Sequence, residues 1–130
     1  MSIQRVAAGP GLPSGFPFSL AAGNESAFFI SGMPALDPDG KFVPGSFEEE
    51  TVLAWRNTIA IAREAGYSEQ DIVYVQCILG DINDYQALNA WWRGTFPDPS
   101  IAPARFTYQA GALPFGAKIE LQAVACRARD

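Results

Sequence analysis

The run from Asp71 to Leu79 (DIVYVQCIL) constrains the fold of this chain more than any other segment. It is rich in β-branched residues and apolar nearly throughout, so it reads as a central strand buried on both faces of a sheet. Such a strand needs strands beside it and a packed layer against it. Upstream, Phe18 to Gly23 and Ala27 to Ser31 are short apolar runs split by Gly23-Asn24-Glu25, and they read as a hairpin. Asp37-Pro38-Asp39-Gly40 is a turn, since Pro presets φ and Gly accepts a positive one. Ser46 has the position of a helix N-cap with Glu49 as its capping-box partner, and Glu48, Glu49 and Glu50 suit the positive end of the helix dipole. Val52, Trp55, Ile59 and Ala62 then recur at helical spacing, and Gly66 ends the helix.

Beyond the central run, Asp84 to Thr95 reads as a second helix, capped by Asn83 or Asp84 and broken by Pro97 and Pro99. Ala104 to Gln109 and Lys118 to Cys126 are the last two strands, joined through Ala112-Leu113-Pro114-Phe115-Gly116. The order β-β-α-β-α-β-β implies one α+β domain over residues 1–130, a mixed sheet with both helices on one face. The other sheet face then needs cover, which points to self-association.

Charge and residue usage narrow the chemistry. The net charge is −5, and nine Lys and Arg against fourteen Asp and Glu do not make the basic face that nucleic acid requires. There is no histidine, which removes Ser-His-Asp and Cys-His catalysis and His-ligated metals. Cys77 and Cys126 lie in apolar runs without CxxC spacing and read as two buried thiols in a reducing compartment. No stretch approaches the ~20 apolar residues of a membrane span. A cytoplasmic protein without a membrane or nucleic-acid partner is the expectation.

The last two strands carry the most suggestive pair. Folded as a hairpin about Leu113, they bring Glu120 opposite Thr107 or Arg105, depending on register, and put Arg105, Thr107 and Glu120 on one face. That set reads as a pocket floor: a guanidinium for an anion and a carboxylate to handle water. An Arg and a Glu across a hairpin also make an ordinary surface ion pair worth ~0–1 kcal/mol. Taken alone, Asn89 reads as a helix-surface amide, and Ser19 and Ser31 as structural serines. Trp91 and Trp92, adjacent on a helix, cannot both face one core.

Pro103-Ala104-Arg105, Ala112-Leu113-Pro114, Gly116 and Ile119-Glu120 together resemble the C-terminal signature of the RidA (YjgF) family. The resemblance continues through Ile30-Ser31-Gly32, the Asp37–Gly40 turn, Leu79-Gly80-Asp81-Ile82-Asn83-Asp84 and Asn89, and covers roughly Phe16 to Ala128. It implies a chorismate-mutase-like α+β domain assembled as a homotrimer, with three clefts between subunits. It also implies hydrolytic deamination of small anionic enamines and imines, such as 2-aminoacrylate and 2-iminopropionate, to 2-oxo acids and ammonia, with no metal or organic cofactor. Arg105 matches the residue that binds the substrate carboxylate, and Glu120 the one that positions or activates water. Asn89 matches a polar residue of the cleft, and Thr107, Phe18 and Ser31 complete the implied substrate-binding set. Two positions depart from the pattern: Phe18 stands where the family often has Tyr, and Thr107 where many deaminating members have Cys. These departures open two alternatives, a larger ring-derived imine such as 2-aminomuconate and a small-carboxylate binder without turnover. A ribonuclease activity is also attached to the family, and an acidic chain without histidine favours it least.

Overall fold

The structure is a computed structural model and describes residues 2–128. The elements are β1 (Gln4–Val6), β2 (Ala21–Gly23), β3 (Ala27–Ile30), α1 (Phe47–Glu64), β4 (Ile72–Leu79), α2 (Tyr85–Thr95), β5 (Ala104–Gln109) and β6 (Ile119–Cys126). All six strands form one mixed sheet in the order β1-β2-β3-β6-β4-β5. Only β4 and β5 run parallel. Among the described residues no helix is long and apolar enough to cross a membrane.

The first helix forms as its sequence directs. Ser46 Oγ accepts from Glu49 N at 3.1 Å while Glu49 Oε1 accepts from Ser46 N at 2.9 Å, so two otherwise unpaired donors of the first turn are satisfied reciprocally. At the other end Gly66 takes φ 89°, and Tyr67 N donates to Ala62 O. The buried side includes Ala54, Trp55, Thr58, Ile59, Ile61 and Ala62. Val52 is exposed, contrary to the expected stripe, because the true contact line runs one position away through Thr51 and Ala54. Glu50 is only 1% exposed and binds both the backbone N (2.9 Å) and Nζ (3.1 Å) of Lys118, tying α1 to the start of β6.

Both helices cover the same sheet face. Val75, Cys77 and Leu79 of β4 and Ile119, Leu121, Ala123 and Ala125 of β6 are buried there. The alternate residues Tyr74, Gln76, Ile78, Gln122 and Val124 lie half-buried on the opposite face, beside exposed Phe29 (60%) and Phe106 (55%). β4 is therefore buried on one face of the single chain, not on both; its continuous apolar run matches a strand whose second face awaits cover.

Three further expectations need correction. The first hairpin is shorter than Phe18–Gly23, since β2 begins at Ala21, and an unexpected β1 pairs with it. Cys126 is exposed, because it sits on the open face at the end of β6, whereas Cys77 is buried. Most consequentially, β5 and β6 are not a hairpin. β4 lies between them, pairing with β5 on one side and β6 on the other. α2 serves as the crossover that parallel pairing of β4 and β5 demands, leaving β5 at the sheet edge.

Candidate functional site

Strand register decides which side chains can meet. Arg105 pairs with Val75, and Val75 with Ala123, so Arg105 points to the helix-covered face. Glu120 pairs with Ile78, which pairs with Tyr108, so Glu120 points to the open face. The two are separated by two strand spacings, about 10 Å, and three residues along the strand, about 10 Å more. The expected one-face floor of Arg105, Thr107 and Glu120 is thus not formed within one chain. Side chains do alternate along each strand, but β5 and β6 form no hairpin, and β4 between them sets Glu120 on the other face.

Arg105 and Glu120 instead head two separate clusters. Around Arg105, Nη2 donates to Asn89 Oδ1 at 2.7 Å and to Tyr85 Oη at 3.4 Å. The guanidinium carbon lies 5.1 Å from the Trp92 ring centre and 5.6 Å from that of Tyr85. Tyr85, Asn89 and Trp92 recur at helical spacing on one face of α2, which is why three residues apart in sequence surround one cation. The ion pair found among the described residues is Lys118–Glu50, so the Arg105 charge is fixed in place without a carboxylate. Two residues along the same face, Thr107 Oγ1 is buried with no hydrogen-bond partner. The buried hydroxyl without a protein partner and the guanidinium without a carboxylate leave a donor and a positive charge on one face, the donor set that suits an anion.

Glu120 is half-buried on the other face, and burial raises its pKa above the usual carboxylate range. It lies against Gly32, where any side chain would collide with Oε2. Gly32 belongs to the segment Ser31–Met33, which Met33 and Leu121 stitch to β6 through backbone hydrogen bonds of 2.8 and 3.0 Å. Ser31 Oγ donates to Ser19 O at 2.7 Å, so it braces the loop that carries Phe18. The exposed Phe18 ring stacks on Phe16, centres 5.3 Å apart.

Asn89 is thus a ligand of Arg105 rather than a free surface amide, and Ser31 a brace. Tyr85 was not singled out from the sequence, Trp92 was named only as one of an adjacent pair, and Gly32 only within Ile30-Ser31-Gly32. The 85-89-92 spacing could have shown the first two once Asn89 was suspected; Gly32 carried no signal beyond its place after Ser31. Trp91 turns to Trp55 and Phe96 and Trp92 to Arg105 and Phe96, and both pack against the same core around the shared Phe96 ring, contrary to the expectation that adjacent tryptophans could not.

A family model described as Endoribonuclease L-PSP matches residues 12–127. The protein named mmf2, mitochondrial, of Schizosaccharomyces pombe is 38% identical over 88% of this chain and 90% of its own length. A protein of Capra hircus named 2-iminobutanoate/2-iminopropanoate deaminase is 37% identical over 84% of this chain and 79% of its own. Among solved structures, Escherichia coli TdcF with bound serine superimposes with a TM-score of 0.84 at 26% identity, covering 96% of this chain and 100% of that one.

Proposed function

The chain belongs to the Endoribonuclease L-PSP family, to which the RidA (YjgF) proteins belong, and from that premise we propose that it hydrolyses small 2-imino acids to 2-oxo acids and ammonia at a site completed by a second copy of the chain. Relatives that carry the deaminase name support the reaction class. One observation carries the site. Arg105 is held by Asn89, Tyr85 and Trp92 with its charge uncompensated, and the hydroxyl of Thr107 beside it is buried without a partner. A substrate carboxylate would satisfy both, through charge-assisted hydrogen bonds that orient the imine.

The chemistry follows from placing Glu120 across the cleft. Water attacks the electrophilic imine carbon, forming a C–O bond, and its proton passes to Glu120. The same carboxyl returns that proton to the nitrogen, which has taken up the C=N π pair, giving a carbinolamine; it then relays the hydroxyl proton to the amine nitrogen as the C–N bond breaks, so that ammonia leaves and the carbonyl forms. A half-buried carboxyl with a raised pKa suits this double duty, since its proton is held more readily than on an exposed acid. Because Arg105 and Glu120 lie on opposite faces of one sheet, one substrate can touch both only where the Arg105 edge of one copy meets the Glu120 face of another. A homotrimer that packs the open sheet faces together, with a cleft at each boundary, provides that arrangement and covers Phe29 and Phe106. The same reading keeps the protein in the cytoplasm, where its thiols stay reduced.

Generating 2-iminopropionate in situ with an amino-acid oxidase tests the reaction. Imine loss should exceed the uncatalysed rate, and Arg105→Ala should abolish the excess. No acceleration by the wild-type protein would leave binding without turnover as the surviving reading. Phe18, which offers no hydroxyl to the cleft, is the observation on its side.

A further inference from the structure

Among the described residues, Phe115 is the one non-glycine residue at positive φ (66°, with ψ 7°). That region crowds Cβ against the following carbonyl oxygen and is strained for an aromatic residue. Core packing does not explain the strain, since Phe115 is 56% exposed. Glycine would adopt this backbone freely, as Gly116 does next to it at φ 68°. Its ring lies nearly flat on Phe42, centres 5.9 Å apart and planes 11° from parallel. A strained, exposed residue whose ring is propped from behind is a candidate for a functional role.

The loop sets where that ring stands. Ala110 N donates to Leu79 O, and Gly80 N to Lys118 O, both at 2.9 Å. The segment between these anchors arcs over the carboxyl end of β4, from the strand that carries Arg105 to the strand that carries Glu120. Glu120 pairs with Ile78, next to that end. Tyr85, whose hydroxyl Arg105 reaches, opens α2 shortly after Gly80 at the same end. Phe115 therefore stands at the Glu120 end of the sheet, and in a site divided between copies it belongs with the Glu120 half. Phe18 adds a second exposed ring on the loop that Ser31 braces, close to Gly32 and Glu120 in the chain's path.

We infer that the strained backbone of Phe115 holds an aromatic wall against the substrate's side chain, so that the site prefers 2-imino acids with aromatic or large apolar side chains over the alanine-derived imine. This rests on the imine reading of the same site. An apolar wall discriminates by excess transition-state and product binding to the larger side chain, on a scale of roughly 10- to 200-fold.

Calorimetry with phenylpyruvate and pyruvate, the 2-oxo acids that the two kinds of imine would yield, reads the preference without turnover. Wild-type protein should bind phenylpyruvate at least about tenfold tighter. Phe115→Gly and Phe115→Asn, both tolerant of the left-handed region, should bring the two affinities together, with phenylpyruvate losing far more than pyruvate and no loss in melting temperature. Equal affinities in the wild type overturn the inference. So does a preference that survives in a folded variant, and a fall in melting temperature with the preference intact would mark Phe115 as purely structural. In turnover, the ratio of kcat/KM for phenylalanine- and alanine-derived imines should drop in step. Retained preference in binding with no turnover of either imine would sink the hydrolase reading and leave the aromatic wall standing.

Discussion

Arg105 is worth more than its charge. Asn89 and the rings of Tyr85 and Trp92 fix the plane of the guanidinium, which is what a bidentate grip on a carboxylate needs. Arg105→Lys keeps the charge and loses the fork, so kcat/KM should fall by about 10²-fold while the melting temperature holds. Glu120 makes a prediction in pH. Burial raises its folded pKa above the unfolded value, so the neutral acid suits the folded state and the ionised form strains it. The stability contribution is full below the unfolded carboxylate pKa and is lost as pH rises through the raised folded pKa. Glu120→Gln should therefore melt higher than wild type at pH 7, with the gain fading in acid, while its imine hydrolysis is lost. A gain that persists unchanged in acid would show that ionisation was not its source. Thr107→Val removes a buried hydroxyl that nothing satisfies, so it should leave stability equal or higher and weaken 2-oxo acid binding.

At the level of elements, local chemistry was legible and strand order was not. The capping box at Ser46 and the glycine stop at Gly66 are short-range devices, and the helix follows them to the residue. Ser46→Ala should cost about 1 kcal/mol in urea unfolding, through loss of the N-cap bond to Glu49 N. The β5–β6 hairpin failed because neighbours in sequence are usually, but not always, neighbours in a sheet. Here β4 takes the inner place, with its apolar run paired on both edges, and β5 joins it in parallel through α2. Alternation correctly gave Arg105 and Thr107 a common face. It could not give Glu120 the same one, because that depended on a pairing fixed by residues far away. Arg105, Asn89 and Glu120 were still nameable from their motif, while Tyr85, Trp92 and Phe115 took their meaning from tertiary geometry.

At the scale of the whole molecule, the open sheet face and the divided site have one explanation. Phe29, Phe106, Tyr108 and Val73 expose apolar surface around the half-buried row Tyr74, Gln76, Ile78, Gln122 and Val124. A face of that kind marks an interface. On the proposed trimeric arrangement, Phe29→Glu should yield a folded monomer in sedimentation without hydrolase activity, since a lone chain would keep only half-sites. The direct test of the divided site is complementation between two dead variants. Arg105→Ala and Glu120→Gln chains, each inactive alone, would be co-expressed in equal amounts and the mixed trimers assayed. With Arg105 and Glu120 supplied by adjacent copies, random assembly leaves about a quarter of the boundaries with both residues intact, so about a quarter of wild-type activity should return. Mixed trimers that stay as inactive as their parents would mean that the two residues do not meet across a subunit boundary.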